Sequence, residues 1–166
     1  MRKVRLIVLI TVGVLFFVVP NVNAKYWDTC KESLKGIRGI FVWINVDSGL
    51  KKWGITNEKI KTDVELKLRV AGINVLSGDL SGIEPGLSVV VLGGEHENLV
   101  YYTIFVSLRQ NVTLSRNPNL ECYSKTWEST WVGLIQGDRL EQKARIVIKD
   151  MIDEFLNEYL SVNPKQ

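Results

Sequence analysis

The residue types that most often carry chemistry in proteins are scarce in this chain. It has one histidine, His96, which stands between Glu95 and Glu97 in a glycine-rich stretch. Three adjacent ligand-type side chains can attract a divalent cation, but neighbours in sequence point in different directions, and specific sites draw their ligands from spaced positions. We therefore interpret residues 95–97 as a solvated turn, and we predict no metal and no cofactor.

Nucleophilic catalysis also lacks its usual components here. A Ser-His-Asp or Cys-His arrangement would have to be built on His96, and the sequence contains no Gly-x-Ser-x-Gly elbow. Two acidic pairs, 79 with 84 and 153 with 154, fall in a predicted loop and on the polar side of a predicted helix, where carboxylates are ordinarily solvated. The sequence predicts a protein that is not an enzyme.

The first 24 residues have the three parts of a cleavable secretory signal peptide. A basic start is followed by an apolar run from Leu6 to Val19 and by the small-x-small sequence Val22-Asn23-Ala24. The alternative is a transmembrane anchor, but about 14 apolar residues fall short of the ~20 that span a bilayer. We predict cleavage before Lys25 and export to the periplasm or the medium, with no stable membrane anchor afterwards.

Lipid attachment is a separate question, because a cysteine, Cys30, lies close behind the leader. The residues before it, Trp27-Asp28-Thr29, are not the small and aliphatic ones that a lipoprotein signal places there. We predict that Cys30 is not lipidated.

Removal of the leader changes the charge of the protein. The whole chain has 21 Lys and Arg against 18 Asp and Glu, and the leader contains three of the bases and none of the acids. The exported domain is therefore formally neutral, with 18 of each. A nucleic-acid-binding domain would keep a basic excess after processing, and a membrane-binding patch would show as a basic cluster. We predict neither kind of partner.

Two cysteines, Cys30 and Cys122, reach a compartment in which disulfides persist. A bond between them would close a long loop, worth about 4 to 5 kcal/mol in the chain-entropy model. The alternative is that both are small buried side chains that never meet. Spacing alone does not decide between the two.

The hydrophobic pattern predicts one α+β domain over residues 39–166, after a lead-in segment at 25–38 with about one helical turn. Alternation predicts a first strand at 39–47, and a helix follows from an N-cap at Thr56 to a C-terminal stop at Gly72. Further strands are predicted at 73–76, 87–92, 99–114 and 121–128, with a turn at 93–98 and a loop at 129–137 before the final helix. The fold class is a two-layer α+β sandwich of about five mostly antiparallel strands, with two helices on one face, in the order β-α-β-β-β-β-α.

Aromatic side chains fall on the sheet face that the helices would leave uncovered. A large exposed apolar patch marks a binding or dimer surface. The alternative is that the lead-in, with Tyr26 and Trp27, or the loop with Trp131 folds over this face and buries it. The predicted partner-binding residues are Phe41, Trp43, Tyr101, Phe105, Tyr123 and Trp127.

Several stretches resemble a family of small exported bacterial proteins of unknown function. They are residues 54–73, Leu87-x-Val89-x-Val91, Thr126-Trp127 and above all the tail Phe155-x-Asn157-x-Tyr159-Leu160-x-Val162-Asn163-Pro164. The resemblance implies a location on the envelope side and brings no catalytic residues. The order of elements also resembles small periplasmic modules such as the lipopolysaccharide-assembly lipoproteins, as an analogy of architecture only.

Three functional hypotheses follow. The first is a non-catalytic protein-binding or assembly module of the bacterial cell envelope, which engages a protein partner or a second copy of itself. The second is a carrier of a small apolar or glycan ligand, held between sheet and helices or on the aromatic strip. The third is a hydrolase or metal-dependent enzyme centred on His96.

Overall fold

The computed structural model describes residues 31–77 and 84–164 of the chain. The predicted leader, Cys30, Tyr26, Trp27 and the loop acid Asp79 lie outside these residues. The five strands are β1 (Gly39–Val46), β2 (Asn74–Val75), β3 (Gly86–His96), β4 (Leu99–Leu114) and β5 (Asn117–Gln136). The two α-helices are α1 (Asn57–Val70) and α2 (Leu140–Val162), each preceded by a short 3₁₀ segment, at Ser48–Trp53 and Gly137–Arg139.

The strands form one open sheet in the order β2-β1-β3-β4-β5. β1 pairs in parallel with both β2 and β3, while the longer pairings of β3 with β4 and of β4 with β5 are antiparallel. The unit β1-α1-β2 is thus a parallel crossover, as the strand, helix, strand pattern predicts. The predicted α+β fold, with five mostly antiparallel strands and two helices, is confirmed.

Helix α1 begins and ends where its sequence predicts. The Thr56 hydroxyl accepts a hydrogen bond from the Lys59 N–H at 3.4 Å, which satisfies one of the unpaired donors of the first turn. At the other end Gly72 has φ 87°, and the next N–H, of Ile73, donates to the Leu68 carbonyl at 2.9 Å. This left-handed stop turns the chain directly into β2.

Helix α2 provides much of the core. Eight of its side chains are buried on one broad stripe against the sheet, and full burial of a large apolar side chain contributes about 1.5 to 3 kcal/mol. They are Leu140, Ala144, Val147, Ile148, Met151, Ile152, Phe155 and Leu156. The stripe fixes which face of the sheet the helix covers.

The end of the lead-in segment packs into this core. Residues 31–36 form a helical turn, in which Leu34 is fully buried, and Ile37 is 8% exposed. Both belong to the same hydrophobic cluster as the sheet and the helices. The packed domain therefore extends further toward the N-terminus than Gly39.

Two predicted connections are wrong because the strands are longer than their hydrophobic runs. β3 continues through Gly93 and Gly94 to His96, which leaves a tight turn at Glu97 and Asn98 with a positive φ of 56° at Glu97. The predicted loop at 129–137 is instead the second half of β5 up to Gln136, paired with residues 99–106 of β4. A long strand such as β4 offers backbone donors and acceptors along its whole length, and an uncharged, Trp- and Val-containing segment pairs with them.

The candidate site on the open face of the sheet

The sheet has one face covered by helices and one that they leave bare, here called the open face. Side chains alternate between the two along every strand. On β4 the buried residues Tyr102, Ile104 and Val106 point to the helices, and Phe105 with its odd-numbered neighbours points to the open face. The predicted facing of β1 and of β4 up to Leu108 agrees with the burial of these strands.

One cross-strand row shapes the centre of the open face. Trp43 of β1 pairs with Ser88 of β3, which pairs with Ser107 of β4, which pairs with Glu128 of β5. Two small side chains thus stand between two large ones, and the middle of the row is depressed. These two serines form the floor of the depression, and Ser107 is only 5% exposed. Their hydroxyls lie 2.9 Å apart and form a hydrogen bond, so each polar group on this floor has a partner.

The depression is a hollow of about 430 Å³. Val90 and Phe105, which are paired neighbours in the next row, stand along one side. Arg109, Lys125 and Tyr123 stand along the other, beyond Gly86. The hollow therefore has apolar and aromatic walls, a serine floor and a charged rim on one side.

The charged rim carries both signs. Lys125 forms an ion pair with Glu128, three residues further along β5. Burial raises the pKa of the Tyr123 phenol, against the opposing effect of the nearby Arg109 charge. The Tyr123 hydroxyl donates a hydrogen bond to the Glu84 carbonyl at 3.4 Å.

Three of the six predicted partner-binding residues meet at the hollow: Trp43, Phe105 and Tyr123. Phe41 and Tyr101 lie on the same face but do not line it. Phe41 is opposite Gly86 and half-buried. Tyr101 is exposed four residues before Phe105 on β4, beside Leu134. The polar floor was missed as a site, although the alternation of β3 and β4 already places Ser88 and Ser107 on this face.

The prediction that Trp127, the sixth residue, lies on the open face is wrong, because its side chain lies on the helix side of the sheet. It is 6% exposed, its ring packs edge-on against Phe155 with 5.2 Å between centroids, and its Nε1–H donates to Glu158 at 2.9 Å. The reason is a β-bulge: Leu108 pairs with Trp127 but Arg109 pairs with Lys125, so Thr126 is an extra residue. The bulge reverses the facing between Tyr123 and Trp127, which simple alternation would put together.

The single histidine lies at the exposed end of a strand. His96 ends β3 and is exposed, and the neighbouring Glu95 carboxylate accepts hydrogen bonds from Lys52 and from Trp53 Nε1. These bonds, that from Lys52 first, lower the pKa of Glu95. Within residues 31–77 and 84–164 no three His, Cys, Asp or Glu side chains are grouped so as to hold a metal ion.

A second concave surface lies between the two helices, away from the open face. It is a groove of about 590 Å³ whose lining includes Ile60, Leu66, Ile146 and Ile152. Ion pairs join the helices across it, Asp63 with Arg145, Lys59 with Glu141 and Lys67 with Asp153. Between the sheet and the helices lie the side chains of the hydrophobic core.

Cys122 lies on β5 opposite Val112 and is partly buried. Among the residues that the structure describes it has no cysteine partner, and Cys30 is outside them. No helix in the described part of the chain is both long enough and apolar enough to cross a membrane.

Comparison with known proteins gives little to set beside this site. No family model matches the chain, and no curated protein matches it. Among solved structures, the chain is similar to the rare lipoprotein B from Shewanella oneidensis, with 12% sequence identity over 73% of this chain and 91% of that chain, at a TM-score of 0.29. An overlap of this size carries over neither the location nor the partners of that protein.

Proposed function

We propose that this chain is a non-catalytic protein-binding or assembly module of the bacterial cell envelope, and that it engages a protein partner with the open face of its sheet. The observation that carries the proposal is the row Trp43-Ser88-Ser107-Glu128, which leaves a hollow beside a half-exposed tryptophan. The envelope location is supported by the three-part leader at residues 1–24.

The hollow has the residue types that dominate protein interfaces. Trp, Tyr and Arg are enriched among the residues whose truncation costs the most binding energy, and here Trp43, Tyr123 and Arg109 surround one concavity. An apolar or aromatic side chain of the partner would fill the space over the serine floor. The Lys125–Glu128 pair and Arg109 would form part of the polar rim that surrounds such an anchor.

Site-specific photo-crosslinking in the native host tests this proposal. A photoreactive phenylalanine analogue at position 43 should give a discrete adduct with one partner. The matched control carries the same analogue at Leu66, which is 60% exposed on helix α1. Identical adducts from both positions, or none from position 43, would contradict the proposal.

A double substitution on the hollow gives the energetic test. Trp43→Ser with Phe105→Ser should abolish capture of the crosslinked partner and leave the thermal unfolding cooperative, because Trp43 is 47% exposed. Capture that is unchanged in a folded double variant would exclude the open face as the binding surface.

A second candidate function, carriage of a small apolar or glycan ligand, is favoured by the groove between α1 and α2. Its volume of about 590 Å³ lies within the range of ligand pockets, and Leu66 and Ile146 remain exposed in it. The apolar probe anilinonaphthalene sulfonate should bind there, and Leu66→Glu with Ile146→Glu should remove the binding. If the substitutions in the hollow remove it instead, the probe reports on the open face.

A further inference from the structure

Only the first half of the outer edge of β5 contains features that protect an edge strand from pairing with another strand. The second half, residues 129–136, lacks them and is here called the bare half. β5 is the last strand of the sheet, and no strand of the described residues pairs with its outer side. An edge strand presents a row of unpaired N–H and C=O groups, which proteins commonly protect with charges, prolines and bulges. The distribution of these protective features along β5 shows where a second strand can add.

The protection is confined to the first half of the strand. Residues 117–128 contain Pro118, Glu121, Lys125, Glu128 and the bulge at Thr126. The second half, residues 129–136 with the sequence STWVGLIQ, contains no charge and no proline. It is rich in the β-branched and aromatic residues that favour strands.

The bare half also exposes its apolar side chains. Val132 and Leu134 are 73% and 67% exposed on the open face, beside Thr103 and Tyr101 of β4. On the opposite face Trp131 is 44% exposed, and the Lys143 ammonium lies 5.8 Å from the centre of its ring. Unpaired backbone and exposed apolar side chains thus coincide on the same eight residues.

We propose that residues 129–136 pair, antiparallel, with the same segment of a second copy of this chain. The pairing has its twofold axis at Val132 and joins the two five-stranded sheets into one continuous sheet. A twofold interface requires a segment that is complementary to itself. In this register Val132 lies opposite Val132, Trp131 opposite Gly133, Leu134 opposite Thr130 and Glu128 opposite Gln136.

Nothing in this pairing is repulsive. Each large side chain meets a small or β-branched one, and no like charges stand opposite each other, which would destabilise a cross-strand pair. The Val132 pair continues the cross-strand row of Leu92 and Thr103 from one copy to the other. A second copy is thus a partner whose edge matches this one along its whole bare half.

Sedimentation equilibrium of the exported, processed protein tests the inference, with a matched control variant. Val132→Lys places two ammonium groups opposite each other on the axis and should raise the dimer dissociation constant at least tenfold. Val70→Lys makes the same change at a valine that is 77% exposed on helix α1 and should leave the constant unchanged. A wild-type protein that stays monomeric up to millimolar concentration, or a Val132→Lys variant as dimeric as wild type, would overturn the inference.

A charge exchange tests the position of the axis. Val132→Lys and Val132→Glu should each dimerise at least tenfold more weakly than wild type, whereas an equimolar mixture should associate, because lysine of one copy then faces glutamate of the other. A mixture of folded variants that stays monomeric would show that Val132 does not lie on the axis.

This inference goes beyond the proposed function, because it concerns the edge of the sheet and not the hollow. Trp43→Ser with Phe105→Ser should leave the dimer intact. Val132→Lys should leave the crosslink from position 43 intact. The two proposals can therefore fail independently.

Discussion

Asn163 and Gly36 are 127 positions apart in the chain and are joined by a hydrogen bond of 2.8 Å from the Gly36 N–H to Asn163 Oδ1. The Nδ2 amino group of the same Asn163 side chain donates to the Leu34 carbonyl at 3.0 Å. One turn earlier on α2, the Tyr159 hydroxyl donates to the Ile37 carbonyl at 2.9 Å. The end of α2 therefore holds the turn that precedes β1, and the tail motif that contains Tyr159 and Asn163 has a structural role.

Asn163→Ala should lower the free energy of unfolding by about 1 to 3 kcal/mol, because it leaves a backbone donor and a backbone acceptor of the lead-in without their partner. Asn157→Ala is the matched control, since Asn157 is exposed on α2, and it should change stability by less than about 0.5 kcal/mol. Urea unfolding measures both. Equal effects would show that the amide of Asn163 does not stabilise the fold.

The tyrosines make stability sensitive to alkaline pH. Burial raises the pKa of Tyr102, Tyr123 and Tyr159 above the ordinary value of 10.0. The folded state then holds these protons more tightly than the unfolded state. The contribution of these raised pKa values to the free energy of unfolding is fully present below pH 10.0. It is lost as the pH rises from there through the folded-state pKa values.

Above pH 10 the free energy of unfolding should therefore fall, by at most about 1.4 kcal/mol per pH unit for each tyrosine involved. Tyr159→Phe should lower stability by about 1 kcal/mol at neutral pH, through the lost bond to Ile37, and should make the alkaline decline shallower. Urea unfolding between pH 7 and 12 measures both effects. A decline of unchanged slope in the variant would contradict the assignment of Tyr159.

The two tryptophans that alternation would place on one surface should behave differently. Trp127→Ala removes a buried ring from the contact with Phe155 and should cost about 3 to 5 kcal/mol of stability. Trp43→Ala alters a half-exposed side chain and should cost about 1 kcal/mol or less. Thermal unfolding of both variants measures the two losses of stability. Similar losses would mean that the bulge does not turn Trp127 into the core.

The strands, the helices and part of the candidate site could be predicted because they depend on local periodicity. The alternation of β1 and β4 places Trp43 and Phe105 on the open face, and the cap at Thr56 with the stop at Gly72 bounds α1. The misplaced features depend on pairing between distant segments. The residue type of Thr126 does not indicate a bulge. The bulge follows from the register of β5 against β4, and it turns Trp127 to the helix side of the sheet. Likewise, residues 129–136 become a strand because β4 is long enough to pair with them.

The predicted leader at residues 1–24 implies a defined N-terminus for the mature protein. The processed protein should begin at Lys25, because Val22-Asn23-Ala24 satisfies the small-x-small rule for cleavage. Ala24→Lys should block processing and leave the full-length chain associated with the membrane. N-terminal sequencing or intact mass of the wild-type protein checks the site. A first residue elsewhere in the chain, or an unprocessed wild-type chain, would refute the predicted cleavage.

The pairing of Cys30 with Cys122 stays a prediction, and a contact of the described turn that follows Cys30 in sequence supports it. The Ser33 carbonyl accepts a hydrogen bond from Gln110 Nε2 at 3.0 Å, and Gln110 lies two residues before Val112, the cross-strand neighbour of Cys122. The turn that follows Cys30 in sequence therefore packs near the end of β5 that bears Cys122. We expect the unreduced protein to be two hydrogens lighter than the reduced one and to resist alkylation.

Reduction and Cys122→Ser should then lower the free energy of unfolding by similar amounts, about 4 to 5 kcal/mol if loop entropy dominates. Reduction should have no further effect on the Cys122→Ser variant, which makes that variant the control for unspecific effects of the reductant. Two alkylated thiols in the unreduced, unfolded wild-type protein would show that the cysteines do not pair. In that case Cys122 contributes to the sheet only as a small apolar side chain.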